Sequence, residues 1–186
     1  MTHALDEEKN SIRNNQYQLR ELSDALRSDQ DFILELVSKE ASWMQHASDA
    51  LRGSRAFVLE AVRRNGWAFE YASKELQSDR EVVLAAVNTC GVAFQYASKE
   101  LQSDREFVLE AVLQDGQALA GANEELRADK EVVLAAVRQD GWALDYASEA
   151  LQEDREVVLA AVTRSGWVFE YASEALQADR DFVREA

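Results

Sequence analysis

Two sets of side chains recur along this chain at spacings that could carry chemistry. Asp79, Asp104, Asp129, Asp154 and Asp179 form one column, each followed at once by Arg80, Arg105, Lys130, Arg155 or Arg180. An earlier step has Asp29 before Gln30, and the next has Ser54 before Arg55. The second set is aromatic and acidic. Trp67, Glu70 and Tyr71 return as Trp142, Asp145 and Tyr146 and again as Trp167, Glu170 and Tyr171, while Tyr96 keeps its place in a step that has Val92 for Trp. Paired carboxylates and cations can do acid–base work, but catalysis needs a unique base, nucleophile or metal set, which would break the repetition. None stands out, so the chain reads as non-catalytic. The Asp column reads instead as helix N-caps, whose carboxylates accept from free first-turn amides. The basic column reads as pairing with acids of a neighbouring copy, which forms a ladder.

The remaining reactive residue types are sparse. His3 and His46 are the only histidines, and neither has a second ligand at metal spacing. Cys90 is the only cysteine, so no intrachain disulfide can form, and it reads as a small hydrophobe. No metal and no cofactor is expected. The aromatic–acidic set suits a different task. Aromatic faces flanked by carboxylates can hold Lys or Arg side chains through cation–π and charge contacts. The competing expectation is that Trp and Tyr stack between copies and fill the array. The two expectations differ in one local fact, the exposure of the Trp column.

The elements that must position these residues follow from the register. Leu26, Leu51, Leu76, Leu101, Leu126, Leu151 and Leu176 are spaced by 25 residues without insertion. Such a period marks one structural unit stacked on its neighbours, with a core that grows along one axis. Six full copies begin at 24, 49, 74, 99, 124 and 149, and a partial copy covers 174–186. Residues 1–23 match weakly, through Ile12, Leu19 and Leu22 on apolar columns and Tyr17 on the Trp column, and read as one or two degenerate capping helices. In the copy that begins at Lys74, Asp79 caps a first helix over Arg80 to Thr89, Glu81 favours its dipole, and Gly91 is expected to end it in the left-handed conformation. On a helical wheel Val82, Val83, Leu84, Ala86 and Val87 span an arc of about 200°, which predicts a helix wedged between layers. A second helix follows to Ser98, and a short turn over Lys99 to Gln102 leads to the next Asp. With no proline and abundant Ala, Leu, Glu, Arg and Gln, the expected fold is all-α, a right-handed α-solenoid of 25-residue helix–turn–helix repeats.

The phrase D-R-E-V-V-L-A-A-V followed by D-G-W-A-L-D-Y-A-S, clearest over Asp129–Ser148 and Asp154–Ser173, resembles a tandem α-helical repeat family catalogued only as a domain of unknown function. The resemblance covers about Asp24 to Ala186. It implies a helical array and supplies no catalytic residues. The first copy departs most, with Ala41 for Gly, Trp43 displaced by one and His46 for Tyr. A weaker similarity is to leucine-rich repeat variant proteins, whose repeats alternate α and 3₁₀ helices. That family's prolines are missing here, and a single cysteine cannot supply the iron–sulfur cluster of one of its member types.

Composition bounds the partners. A net charge of −15 repels phosphate backbones and anionic membrane surfaces, which opposes a one-base-per-repeat nucleic-acid reader, and it favours a basic protein or peptide. No apolar run approaches the ~20 residues of a membrane span, and the N-terminus has no signal-peptide pattern. A soluble, intracellular protein-interaction scaffold is expected. The runner-up is a spacer array joined to a separate effector or catalytic domain. Arg184 stands where the register calls for Leu, and the chain stops within a helix. This reads as a fragment whose apolar end could associate end to end.

Overall fold

The computed structural model describes residues 2–14 and 22–185, and it is helical throughout with no strand among the described residues. Tyr17 and Leu19 lie outside them. Each 25-residue period holds three segments: a short helix, a long helix and a six-residue 3₁₀ helix. In one copy these are Asp49–Arg52, Arg55–Arg64 and Gly66–Tyr71. The following copy has a 3₁₀ turn, Leu76–Ser78, in place of the short helix, and then Arg80–Val87 and Gly91–Tyr96. The expected helix–turn–helix unit is corrected accordingly. The second segment is 3₁₀, and the short connecting turn is α in the other copies, as at Lys99–Ser103.

Local chemistry sets these boundaries. Asp79, Asp104, Asp129, Asp154 and Asp179 each accept from amides of the first helical turn, as Asp79 Oδ1 does from Glu81 at 3.0 Å and Val82 at 3.1 Å. Ser98, Asn123 and Ser173 cap the short helices in the same way. The glycine column does not act as expected. No described glycine has positive φ. Long helices end instead at an extended residue such as Asn65 or Asp115, or, for Arg80–Val87, at Asn88 shortly before the extended Cys90, and the glycine that follows the extended residue opens the 3₁₀ helix. Glycine is needed there for closeness. A Cβ on Gly116 would lie 2.4 Å from the carbonyl oxygen of Ala136 in the next copy, and one on Gly141 would lie 2.5 Å from that of Ala161.

Each long helix packs on the next along the chain, and the 3₁₀ helices from Gly66–Tyr71 to Gly141–Tyr146 each pack on their own long helix and on the following one. Val82, Val83, Ala86, Val87, Ala93 and Phe94 are fully buried, and their counterparts continue one core from end to end. Backbone bonds join adjacent copies at a fixed offset: Ser73 N donates to Arg52 O at 3.0 Å, Ser98 N to Gln77 O at 2.9 Å and Asn123 N to Gln102 O at 2.9 Å. The buried arc of the long helix is narrower than the wheel predicts. Leu84, Leu109, Leu134 and Leu159 are only half-buried.

At the N-terminus the helix Thr2–Asn14 buries Ile12, and Leu22 is buried beyond it. Glu8 accepts from Ser23 N at 3.1 Å and from its hydroxyl at 2.9 Å. Lys9 pairs with Asp29 and lies 5.4 Å from the centre of the Phe32 ring. The opening helix therefore gives the first Asp a cation, although Lys9 is out of register with the basic column.

Candidate functional site

The basic residue of one copy reaches the capping Asp of the next, so the ladder is built across copies. Arg55 Nε lies 2.8 Å from Asp79, Arg80 Nη1 2.9 Å from Asp104, Arg105 Nε 2.8 Å from Asp129 and Lys130 Nζ 2.9 Å from Asp154. Each cation also takes a second carboxylate: Glu81, Glu110, Glu131 and Glu156 respectively. Asp79, Asp129 and Asp154 are held below the usual carboxylate range first by that cation and then by the amides they cap. These groups are exposed, mutually paired and repeated, which suits structural support.

The aromatic–acidic residues sit on the 3₁₀ helices, one on each copy. Their alternation with buried residues (Ala68 and Phe69, Ala143 and Leu144) turns Trp and the acid outward. The aromatic pairing crosses copies. Trp67 packs edge-on against Tyr96 of the next copy, ring centres 6.3 Å apart, and Trp142 packs against Tyr171 at 5.5 Å. Trp67 is nevertheless 42% exposed and Trp142 39%. The rings thus stack between copies and still present surface to solvent. Glu70 lies beside both Tyr71 and Tyr96. Burial first, and the Glu70 carboxylate second, pushes both phenols up. The first cluster therefore brings together Trp67, Glu70, Tyr71 and Tyr96.

In the second cluster Trp142 and Tyr171 meet, with Asp145 exposed and Tyr146 half-buried on the 3₁₀ helix of Trp142. Trp167 is 76% exposed, and Glu170 is exposed beside it. A complete Trp–Tyr pair thus forms twice, and the third Trp is left open. Between the two pairs the contact changes character. Gln117 Nε2 donates to Asp140 Oδ2 at 2.9 Å, and a Cβ on Gly121 would lie 2.5 Å from the backbone of Phe94 and Gln95. Neighbouring 3₁₀ helices approach too closely there for an aromatic pair.

Sequence reasoning missed a second surface. Leu109, Leu113, Leu134 and Ala135 line an open groove of about 650 Å³ across the long helices, and Leu159 and Ala160 continue it. The available signal was Leu113, apolar in a column that otherwise reads Ser38, Arg63, Asn88, Arg138 and Thr163. Among the described residues no helix is long and apolar enough to cross a membrane. No group of three or more His, Cys, Asp or Glu residues is placed to hold a metal ion among them.

The family model described as "Domain of unknown function (DUF4116)" matches residues 9–52, 54–102, 104–152 and 154–186, nearly the whole chain. Each of the two central segments takes in two 25-residue periods. No curated protein and no solved structure matches the chain.

Proposed function

The chain belongs to the DUF4116 family, and we propose that it is a non-catalytic scaffold that binds a basic peptide on its Trp/Tyr/acidic face. The observation that carries this reading is the Trp67–Tyr96 pair beside Glu70. Two aromatic rings meet edge to face, Trp67 remains 42% exposed, and a carboxylate stands next to them. A guanidinium or ammonium group gains from the ring quadrupole and from the carboxylate together. The rings are already fixed by packing between copies, so little side-chain entropy is lost on binding. The acidic chain adds long-range attraction for a cationic partner. The array that presents this face is an α-solenoid, expected to be right-handed and intracellular; the stepwise packing of long and 3₁₀ helices supports the solenoid.

Titration with an Arg-rich peptide, followed by tryptophan fluorescence and calorimetry, tests the reading. Saturable binding that weakens at least tenfold in a Trp67→Ala, Trp142→Ala double variant, with unfolding unchanged, is expected. Binding that survives the double variant places the peptide elsewhere. No binding by the intact chain leaves a spacer array.

A further inference from the structure

The long-helix groove is a separate surface with its own charge character. Its floor is the half-buried Leu109, Leu134 and Leu159, and its wall is Leu113, 66% exposed. The acids around it are already taken: Glu110 faces Arg80, Glu131 faces Arg105 and Glu156 faces Lys130. The cations on the opposite edge are not neutralised. Arg138 lines both halves of the groove and has no hydrogen-bond or ion-pair partner among the described residues, and Arg164 Nε donates only to the neutral carbonyl of Gln139, at 2.8 Å. The same columns are closed near the N-terminus. There Leu34 and Leu59 are buried, and Glu35–Lys39 and Glu60–Arg64 pair along their own helices. The strip of half-buried leucines runs from Leu84 to Leu159, and the exposed Leu113 widens it beside Arg138, whereas Arg63, in the column of Arg138, stands one turn after the buried Leu59, in a chain whose net charge is −15.

We propose that this groove docks an amphipathic helix of a partner protein, with its apolar face on the leucine strip and acidic residues against Arg138 and Arg164. The dimensions agree with a helix. Neighbouring long helices are about 8–10 Å apart, close to the roughly 10.5 Å that seven residues of α-helix advance. Apolar residues at i and i+7 of the guest then fall on successive leucines, with i+3 between them on the same face, the pattern of helix-in-groove recognition. Three host helices span about 20 Å, the length of a guest of roughly 11–14 residues. Charge supplies the selectivity. A guest with lysines on that flank meets free guanidinium groups, and a guest with glutamates neutralises them.

The test uses the full chain and two synthetic 14-residue amphipathic helical peptides. They share leucines at i, i+3 and i+7 and carry either Glu or Lys on the flank. Fluorescence anisotropy of the labelled peptides should show saturable binding of the Glu peptide, at least tenfold tighter than the Lys peptide. Arg138→Glu should reverse that preference, and Leu113→Asn should weaken both peptides with unfolding unchanged. The Trp67→Ala, Trp142→Ala double variant should bind the Glu peptide like the unaltered chain, which separates this surface from the aromatic face. Equal binding of both peptides, or none up to millimolar concentration, overturns the proposal. So does concentration-dependent dimerisation in sedimentation that Leu113→Asn abolishes, since the groove then belongs to a second copy of this chain.

Discussion

The rungs of the ladder come in two forms, and a buried residue selects between them. Where the next copy has Val82, Val132 or Val157, the cation takes the acid two places after the capping Asp: Arg55 with Glu81, Arg105 with Glu131, Lys130 with Glu156. Where the next copy has Phe107, Arg80 lies 4.2 Å from the ring centre and reaches Glu110 instead. The sequence carries this choice as a pair: Phe occurs with Glu three residues on (Phe57 with Glu60, Phe107 with Glu110), and Val occurs with Ala (Val82 with Ala85, Val132 with Ala135). The exceptions fall together as well, because Gln30 and Ser54 are the two ends of a single rung. The charge in a rung can be isolated at Asp129, whose carboxyl is lowered by the Arg105 guanidinium first and by the amides of Val132 and Glu131. A carboxyl lowered on folding stabilises the fold above its unfolded value of about 3.9, and that contribution is lost as pH falls through the folded value. Asp129→Asn keeps the cap acceptor and removes the charge. The urea-unfolding gap between the two proteins should be at most about 1 kcal/mol near pH 6, for a pair this exposed, and should close below about pH 4. A gap that ignores pH would assign the effect to packing. A second residue-scale prediction concerns the glycine column. Gly116→Ala drives a methyl into the Ala136 carbonyl and should cost about 1–3 kcal/mol in urea unfolding. Gly166→Ala meets nothing within 4 Å and should leave stability unchanged or slightly raised. Equal losses would mean that backbone freedom governs the column.

At the scale of elements, the long helices were legible in the sequence and the 3₁₀ helices were not. The Asp caps and the Val/Ala period place the long helices because cap chemistry and burial are local signals. A six-residue 3₁₀ helix has no such signature: it buries Ala93 and Phe94 much as a short α-helix would, and its form is set by contact with the next copy. The weaker similarity to leucine-rich repeat variant proteins did imply alternating α and 3₁₀ segments. The aromatic–acidic columns were likewise visible, and stacking of Trp and Tyr between copies was one of the two expectations, but a one-dimensional period cannot show that it is Tyr96 to which Trp67 reaches forward. Neither could it show what ends these segments. Gln102 is 5% exposed, and its Nε2 donates to the carbonyls of Gln95 at 2.7 Å and Ala97 at 3.1 Å. Gln77, Gln152 and Gln177 repeat the contact. The glutamine amide thus closes the carbonyl end of each such 3₁₀ helix. Gln102→Leu should cost about 1–3 kcal/mol, the price of buried carbonyls without a donor. Gln102→Glu should cost more at neutral pH, since a carboxylate then faces carbonyl oxygens, and should recover in part on acidification. The measurement is urea unfolding of both variants at two pH values. If Leu is tolerated without loss, the amide contact contributes nothing.

Across the whole molecule the period turns a local motif into a spacing. Trp67–Tyr96 and Trp142–Tyr171 stand three copies apart, and Val92 with Gly121 removes both members of one pair between them. On the proposed solenoid, three steps of about 8–10 Å separate the two sites by about 25–30 Å. An extended peptide advances about 3.3 Å per residue, so two arginines about eight residues apart can reach both sites at once. The second contact is then intramolecular, and its gain depends on whether the linker spans the distance. Peptides with two arginines separated by 2, 5, 8, 11 or 14 Gly/Ser residues therefore form a ruler for the array. Affinity should stay at the one-site level for linkers of about two and five residues, rise roughly tenfold or more near eight, and decline slowly beyond. Trp142→Ala alone should flatten the curve to the one-site level while binding persists through Trp67. A curve that is flat in the unaltered chain, with one-site binding present, would mean that the two aromatic pairs do not share a face. That would leave the aromatic site intact and require the solenoid to twist them apart.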